Sequence, residues 1–316
     1  MVDVALLGCN GGWEKYYGNP VVGGDLGDCC DVVVVEEGDE LLMYFSWRST
    51  KSIAVVRSED GLRWSEPIIA LAPREQSGWE DDVNRPCVLK RGGRYHMWYS
   101  GQVAGNVINA PNRLEDDERG VSHIGYAWSD DGLVWNRADQ PVLIATQRWE
   151  KRAVMCPHVI FDDELGCYRM WYSAGGWFEP DSIGYAVSGD GQHWVRASTG
   201  PVFTPDARYL WERERVTACQ VIKLDGWHYM FYIGFEDIDK ARVCLARSRD
   251  GISHWERHKE NPIISGGRAG GWDCEAAYKP FVLFRDDYWM MWYNGRRGYN
   301  GQIGVAFHQE VDLGFQ

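Results

Sequence analysis

The residues of this chain able to do acid, base or ion-pairing chemistry fall at comparable places in successive strand-like segments. Aligning those segments on Val32, Pro86, Pro157, Cys219 and Pro280 singles out polar residues that the copies do not share. They are Asp28 and Asp31 in the first, Asp82, Asn84 and Arg85 in the second, and Arg152 and His158 in the third. Glu214 and Arg215 follow in the fourth, and Glu275, Tyr278 and Lys279 in the fifth. Carboxylates and cations facing one another in a narrow space are costly to desolvate unless paired, so such a cluster is either a salt-bridged plug or a site for a polar ligand. His158 taken alone reads equally well as a hydrogen-bonded core residue. The Trp-acid pairs at Trp79-Glu80, Trp149-Glu150, Trp211-Glu212 and Trp272-Asp273 recur in four copies and read as structural, holding a turn or a neighbouring copy.

The elements that must carry these residues are set by a repeat of about sixty residues, and internal periodicity decides the fold. Ser58-Glu59-Asp60-Gly61 leads to Trp64, Ser129-Asp130-Asp131-Gly132 to Trp135, Ser188-Gly189-Asp190-Gly191 to Trp194, and Ser248-Arg249-Asp250-Gly251 to Trp255. Asp-Gly between apolar runs is a strong hairpin signal, because Gly accepts the positive φ of a tight turn. Five aromatic-rich strands accompany the turns, among them Met97-Trp98-Tyr99-Ser100, Met170-Trp171-Tyr172-Ser173 and Met291-Trp292-Tyr293. Gly12-Trp13 and Asn19-Pro20-Val21 supply a fifth copy that lacks its early strands, while the last copy breaks off near Gln316. The pattern predicts an all-β, single-domain five-bladed β-propeller in which the N-terminal strand, about Val2 to Trp13, joins the last blade. The blades are expected over about 20–75, 76–146, 147–206, 207–267 and 268–316 plus 1–19. A β-sandwich would not need five in-phase copies.

Composition narrows the partners. With 46 Asp plus Glu against 33 Lys plus Arg and a formal charge of −13, a nucleic acid or an anionic membrane is a poor electrostatic match. The first residues lack the basic start and apolar run of a signal peptide, and no stretch nears eighteen apolar residues, so a cytoplasmic protein is expected. Nine cysteines without a CxxC pair read as buried free thiols, with vicinal Cys29 and Cys30 the one place for redox or metal chemistry. No cofactor is expected, a structural calcium ion in the channel being the open alternative, and the oligomeric state is not legible. The segment Gly101 to Val121, with Asn109-Ala110-Pro111-Asn112 and the acidic Glu115 to Glu118, reads as a solvated loop or as a lid or oligomer contact. Gly298 to Gly301 is a shorter loop of the same kind.

The five-fold repeat, the SxDGxxW turns and the strand Asp31-Val32-Val33-Val34-Val35 resemble the five-bladed propellers of the furanosidase and related glycosidase superfamily, which includes glycoside hydrolase families 32, 43, 68 and 130. The resemblance spans essentially the whole chain. It implies that Asp31, immediately before the proline position of blade one, activates water or attacks the anomeric carbon. Families 32 and 43 carry their acid two residues before the blade-three proline, where this chain has Met155, and family 130 places an aspartate beside the blade-two proline, where it has Asn84-Arg85-Pro86.

Glycoside cleavage needs one carboxyl group to protonate the leaving oxygen and a second to assist attack. Glu214 is the favoured acid, since neighbouring charges in Glu212-Arg213-Glu214-Arg215 can set its pKa, with Asp82 and Glu275 next. Asp28, Asn84, Arg85, Arg152, His158, Arg215, Tyr278 and Lys279 are expected to bind the sugar, and Trp47 to stack on its apolar face. The expected function is an exo-acting glycoside hydrolase on a small carbohydrate. Two alternatives stand beside it. A glycoside phosphorylase would hold phosphate through Arg85, Arg215, Lys279 and His158, and a non-catalytic sugar-binding propeller would account for Met155.

Overall fold

The computed structural model describes residues 8–103 and 120–315. The chain is an all-β propeller of five blades, each an antiparallel sheet whose first strand lies nearest the central channel. The first strands are Cys29–Glu37, Asp82–Arg91, Ala153–Asp162, Arg215–Leu224 and Ala276–Arg285. Each packs on the first strand of the next blade, and the fifth packs on the first, which closes the ring. Blades two and three are additionally joined by one parallel pairing of Ser122 with Ala153.

Closure runs through the N-terminus. Trp13–Lys15 pairs with Asn300–His308 as the outermost strand of blade five, Trp13 opposite His308 and Lys15 opposite Ala306. The strand is therefore shorter and later than the sequence pattern predicts. Cys9 bridges instead to Ile264 of blade four, and residues 1–7 lie outside the described residues. So do residues 104–119 of the expected insertion, whose ends belong to the strands Arg94–Val103 and Val121–Ser129.

The Trp-acid pairs explain how the blades are tied. Glu80, Glu150, Glu212 and Asp273 are all buried, and each accepts a hydrogen bond from a tyrosine of the second strand: Tyr99, Tyr172, Tyr232 and Tyr293 respectively. Each also meets a cation of its blade's outermost strand, Arg137 at 3.2 Å, Arg196 at 2.6 Å, Arg257 at 2.5 Å and Lys15 at 2.7 Å. A buried carboxylate is tolerated when it is paired and hydrogen-bonded in this way. Lys15 thus occupies in blade five the place the arginines hold elsewhere, so the N-terminal strand is chemically as well as geometrically the missing fourth strand. Blade one has no Trp-acid pair, and Phe45 stands in its second strand where the others have tyrosine.

At the opposite end the Ser-x-Asp-Gly turns cap themselves. The Asp131 carboxylate accepts the N–H groups of Leu133 and Val134 at 2.8 and 2.9 Å, and Ser129 Oγ accepts that of Gly132 at 2.9 Å. Gly132 has φ 75°, a conformation that costs a side chain about 1–2 kcal/mol. The glycine carbonyls also receive bonds from the preceding blade: Trp292 Nε1 reaches Gly61 at 3.0 Å, Trp98 reaches Gly191 at 2.7 Å and Trp171 reaches Gly251 at 2.8 Å.

Candidate active site

Every first strand breaks register at one place. The five residues just before the proline position, Asp31, Arg85, Cys156, Ala218 and Lys279, all have positive φ, between 40° and 59°, and each sits at a β-bulge. A bulge re-aims a side chain and bends the strand, and non-glycine residues hold left-handed geometry only where the surroundings enforce it. The enforcing groups come from the neighbouring blade. Ser46 Oγ accepts the Arg85 N–H at 2.8 Å, Ser100 that of Cys156 at 3.0 Å and Ser173 that of Ala218 at 2.8 Å. At the seam Asn294 takes the same role, accepting the Asp31 N–H at 2.9 Å and donating to the Cys29 carbonyl at 3.1 Å. Five bulges, four of them pinned in this way, thus present five side chains toward the channel, and three of them are charged.

Four of the five line a cavity of about 600 Å³ at the channel mouth, together with Asp28, Arg48, Asp82, Glu179 and Tyr278. Asp31 is 8% exposed, and Ser46 Oγ donates to its carboxylate at 2.8 Å. Burial opposes its ionisation, but Arg85, Lys279, the Ser46 hydroxyl and Arg48 outweigh that cost and hold its carboxyl below the usual range. Asp28 behaves oppositely. Burial pushes its carboxyl above the usual range, against the Gly301 N–H at 2.9 Å and the charge of Arg48. Two carboxyl groups displaced in opposite directions therefore share a cavity.

Around them the charges are graded. Asp82 pairs with Arg48 at 2.8 Å and accepts from Asn84 at 2.7 Å. Arg85 donates only to neutral oxygens, Asn84 Oδ1 at 2.9 Å and Gln102 Oε1 at 3.0 Å, and forms no ion pair closer than 4 Å among the described residues. The far wall is apolar, with Cys156, Ala218, Ile233, Phe235, Ala241 and Ala276 packed as one cluster.

Several expected site residues stand elsewhere. Glu214 is exposed and outside the cavity, its N–H bound to the Phe235 carbonyl before the strand begins. Glu275 is also exposed and outside, accepting the Gly298 N–H at 2.9 Å in a neighbouring groove. Arg152 is exposed, its carbonyl bound to the Ser122 N–H. His158 is buried with its Nε2 2.9 Å from the Val221 carbonyl, and burial lowers its pKa to about 4, so it is a neutral core residue. Trp47 points away, donating from Nε1 to the Leu26 carbonyl at 2.8 Å. Arg215 anchors a loop instead, donating to the Glu179 carbonyl at 2.6 Å and to Asp181 at 3.1 Å. Asn84 is fully buried behind Arg85, and Lys279 is 5% exposed beside Asp31.

Residues absent from the sequence reading come from the hairpins between second and third strands: Arg48 and Lys51, Trp177 to Glu179, Phe235, Ile238, Asp239 and Arg296, while Gly298 and Tyr299 stand in the loop Gly298 to Gly301 that the sequence singles out. These hairpins differ from copy to copy while the Asp-Gly turns repeat, and that contrast is the signal by which they could have been found. Among the described residues no group of three or more His, Cys, Asp or Glu side chains is arranged to hold a metal ion, and all nine cysteines are free.

The model of the family described as "Glycosyl hydrolases family 43" matches residues 17–312. The chain belongs to glycosyl hydrolase family 43. Among relatives in sequence, protein MT1551 of Mycobacterium tuberculosis is 30% identical over 64% of this chain and 65% of its own length. A 1,2-beta-oligomannan phosphorylase of Thermoanaerobacter sp. (strain X514) is 34% identical over 38% of this chain and 42% of its own. The chain thus spans less than two thirds of either relative. Among solved structures, one titled "Glycoside hydrolase" superposes with TM-score 0.76 at 20% identity, covering 97% of this chain and 93% of that one. A thermostable family-43 glycoside hydrolase gives TM-score 0.71 at 18% identity, with 92% of each chain covered. These likenesses at low identity establish the propeller fold. In this member Met155 is fully buried in the apolar cluster, so the place where the resemblance expects an acid is part of a hydrophobic wall.

Proposed function

We propose that the protein hydrolyses glycosides in the cavity at the channel mouth, with Asp31 as the base that draws a proton from the attacking water and Asp28 as the acid. The observation that carries this reading is the opposite displacement of the two carboxyl groups within one cavity, below the usual range for Asp31 and above it for Asp28. Paired titratable groups pushed apart by their surroundings divide acid from base. Water adds its oxygen to the anomeric carbon as the glycosidic C–O bond breaks. Asp31 gains the water proton, and Asp28 supplies the proton that the leaving oxygen takes up.

One observation favours a second reading, phosphorolysis. Arg85 spends its hydrogen bonds on neutral partners and keeps a charge available to an oxyanion, and the Thermoanaerobacter relative is named a phosphorylase. A panel of aryl furanosides and pyranosides, and β-1,2-mannobiose, assayed with and without orthophosphate, tests both. Cleavage that ignores phosphate supports hydrolysis, and release of a sugar phosphate replaces it with phosphorolysis. If neither occurs and Asp31→Asn changes nothing, the enzymatic reading falls.

A further inference from the structure

The cavity at the channel mouth has two unlike halves. Blades three and four are the two that do not neighbour blade one, so their first strands face Asp31 across the channel. From the strands of these two blades the cavity receives Cys156, Thr217, Ala218, Ile233, Phe235 and Ala241, all buried and none charged. Glu179 and Asp239 reach it from the hairpins at the mouth. Blades one and two contribute charged and amide groups, among them Asp28, Asp31, Arg48, Asp82, Arg85 and Gln102. Cys156 and Ala218 hold the bulge positions equivalent to Asp31, so they stand at its depth and not above it. The apolar half is also short of free hydrogen-bonding groups. Its Cys156 and Ala218 N–H groups are taken by Ser100 and Ser173, at 3.0 and 2.8 Å, and Thr217 pairs with Ile233 in the ladder. The Thr217 hydroxyl oxygen is itself buried, with no hydrogen-bond partner among the described residues.

We propose that the sugar over Asp31 is a 6-deoxyhexose whose methyl group on C5 packs on the wall of blades three and four, an inference that rests on the glycoside-cleaving reading above. With C1 over Asp31, the C4–C5 side of a six-membered ring points across the channel to that wall. A hexose brings a hydroxymethyl group there and gives up its hydrogen bonds to water, which nothing on the wall replaces. A pentose brings only hydrogen and forfeits the packing contacts that a larger group would make. A methyl group meets neither cost and removes apolar surface on both sides from water. The remaining hydroxyl groups turn toward the carboxylates, amides and arginines of blades one and two. A ligand with one polar and one apolar edge thus matches the division of the cavity.

Titration of the Asp31→Asn protein, followed by NMR, with methyl pyranosides that differ only in the substituent on C5 reads the wall without turnover. Three series serve: β-D-galactoside, β-D-fucoside and α-L-arabinoside; α-L-galactoside, α-L-fucoside and β-D-arabinoside; and α-L-mannoside, α-L-rhamnoside and α-L-lyxoside. In at least one series the deoxy sugar should bind about ten-fold tighter than both its companions. Adding Cys156→Ser or Ala218→Ser puts a hydroxyl group on the wall and should cut the preference over the hydroxymethyl sugar to under about two-fold. Affinity for the pentoside should be kept in both, which controls for folding. A deoxy sugar that is nowhere the tightest ligand, or a preference that survives both substitutions, overturns the proposal. So does an affinity that rises from methyl to octyl glycosides whatever the C5 substituent, which would give the wall to the aglycone. The catalytic reading fails separately, if wild-type protein leaves both anomers of the 4-nitrophenyl glycoside of the preferred sugar intact while the binding preference persists.

Discussion

The Ser46 hydroxyl donates to the Asp31 carboxylate at 2.8 Å while accepting the backbone N–H of Arg85 at the same distance. Among the described residues Ser100 and Ser173, at the same position of blades two and three, hold only a backbone N–H. The repeat thus supplies a structural serine, and blade one turns it into a partner of the buried carboxylate. Because the Arg85 N–H occupies a lone pair of Ser46, its proton is directed at Asp31. Ser46→Ala should lower kcat about 10–100-fold, with the acid limb of the pH profile displaced upward because a bond to the ionised form is gone. Steady-state kinetics beside a thermal melt decides it: a fall in Tm with kcat retained would make Ser46 merely structural.

Removal of the Arg85 charge tests the electrostatics. Arg85 is the largest of the influences that keep Asp31 ionised. Activity that needs the Asp31 carboxylate is lost as pH falls through its depressed pKa, so Arg85→Gln should shift the acid limb of kcat/KM to higher pH. The same linkage acts on stability. A depressed carboxyl contributes stability that is present above its unfolded pKa and lost as pH falls through the folded one. The acid-side decline of Tm that Asp31 contributes should accordingly be smaller in the variant and be complete at a higher pH. An unmoved acid limb refutes the assignment of Asp31 as the group that must be ionised.

On the proposed mechanism the alkaline limb should belong to Asp28. Its carboxyl is raised chiefly by burial, so loss of activity on raising the pH should follow a pKa above the ordinary aspartate range. Asp28→Asn should abolish turnover of poor leaving groups and spare aryl glycosides with good ones, whose departure needs little protonation. Equal losses on both substrate kinds would assign the acid elsewhere, with Glu179 next to be replaced.

Asn294 closes the ring at the site. It satisfies both the Asp31 N–H and the Cys29 carbonyl, and it is fully buried. Asn294→Ala leaves both groups without a partner, at a cost of about 1–3 kcal/mol for each. Asn294→Ser, which gives blade five the residue of blades one to three, should recover part of that stability and part of the activity. Chemical denaturation of the three proteins ranks them.

The charged residues outside the cavity separate from those that hold the blades. Glu150 is buried between Tyr172 and Arg196, and Glu150→Ala strands the arginine, which should cost about 3–5 kcal/mol. Glu214→Ala, on an exposed residue outside the cavity, should change stability by less than about 0.5 kcal/mol and leave kcat unaltered. A large loss of turnover in Glu214→Ala would return it to the site.

The repeat made the architecture legible, because five copies of a turn, an aromatic strand and a Trp-acid pair have one economical closure. It also carried part of the site. Asking which polar residues break the repeat led to Asp28, Asp31, Asp82, Arg85 and Tyr278, all of which line the cavity. It failed where a residue's direction mattered. Glu214 and Glu275 stand four residues ahead of the bulge, one residue earlier than Asp28 and Asp82, and fall outside the cavity. His158 lies just beyond the bulge and enters the core. Glu179 and Arg48 were missed because the hairpins bearing them are distant in sequence from the strands of the other blades that they face, and only ring closure brings them to the mouth.

Pairing of Trp13–Lys15 with Asn300–His308 has a consequence for how the molecule comes into being. During synthesis the strand bearing Lys15 emerges early and must wait, unpaired, until nearly three hundred further residues have left the ribosome. Contacts between segments so distant in sequence form late and slowly. Asp31 depends on Asn294 across the same seam, so a nascent chain can hold four finished blades and still have no aligned carboxylate in its channel. Catalytic competence would then arrive in one step with the last strand, and a chain terminated before it would be inert.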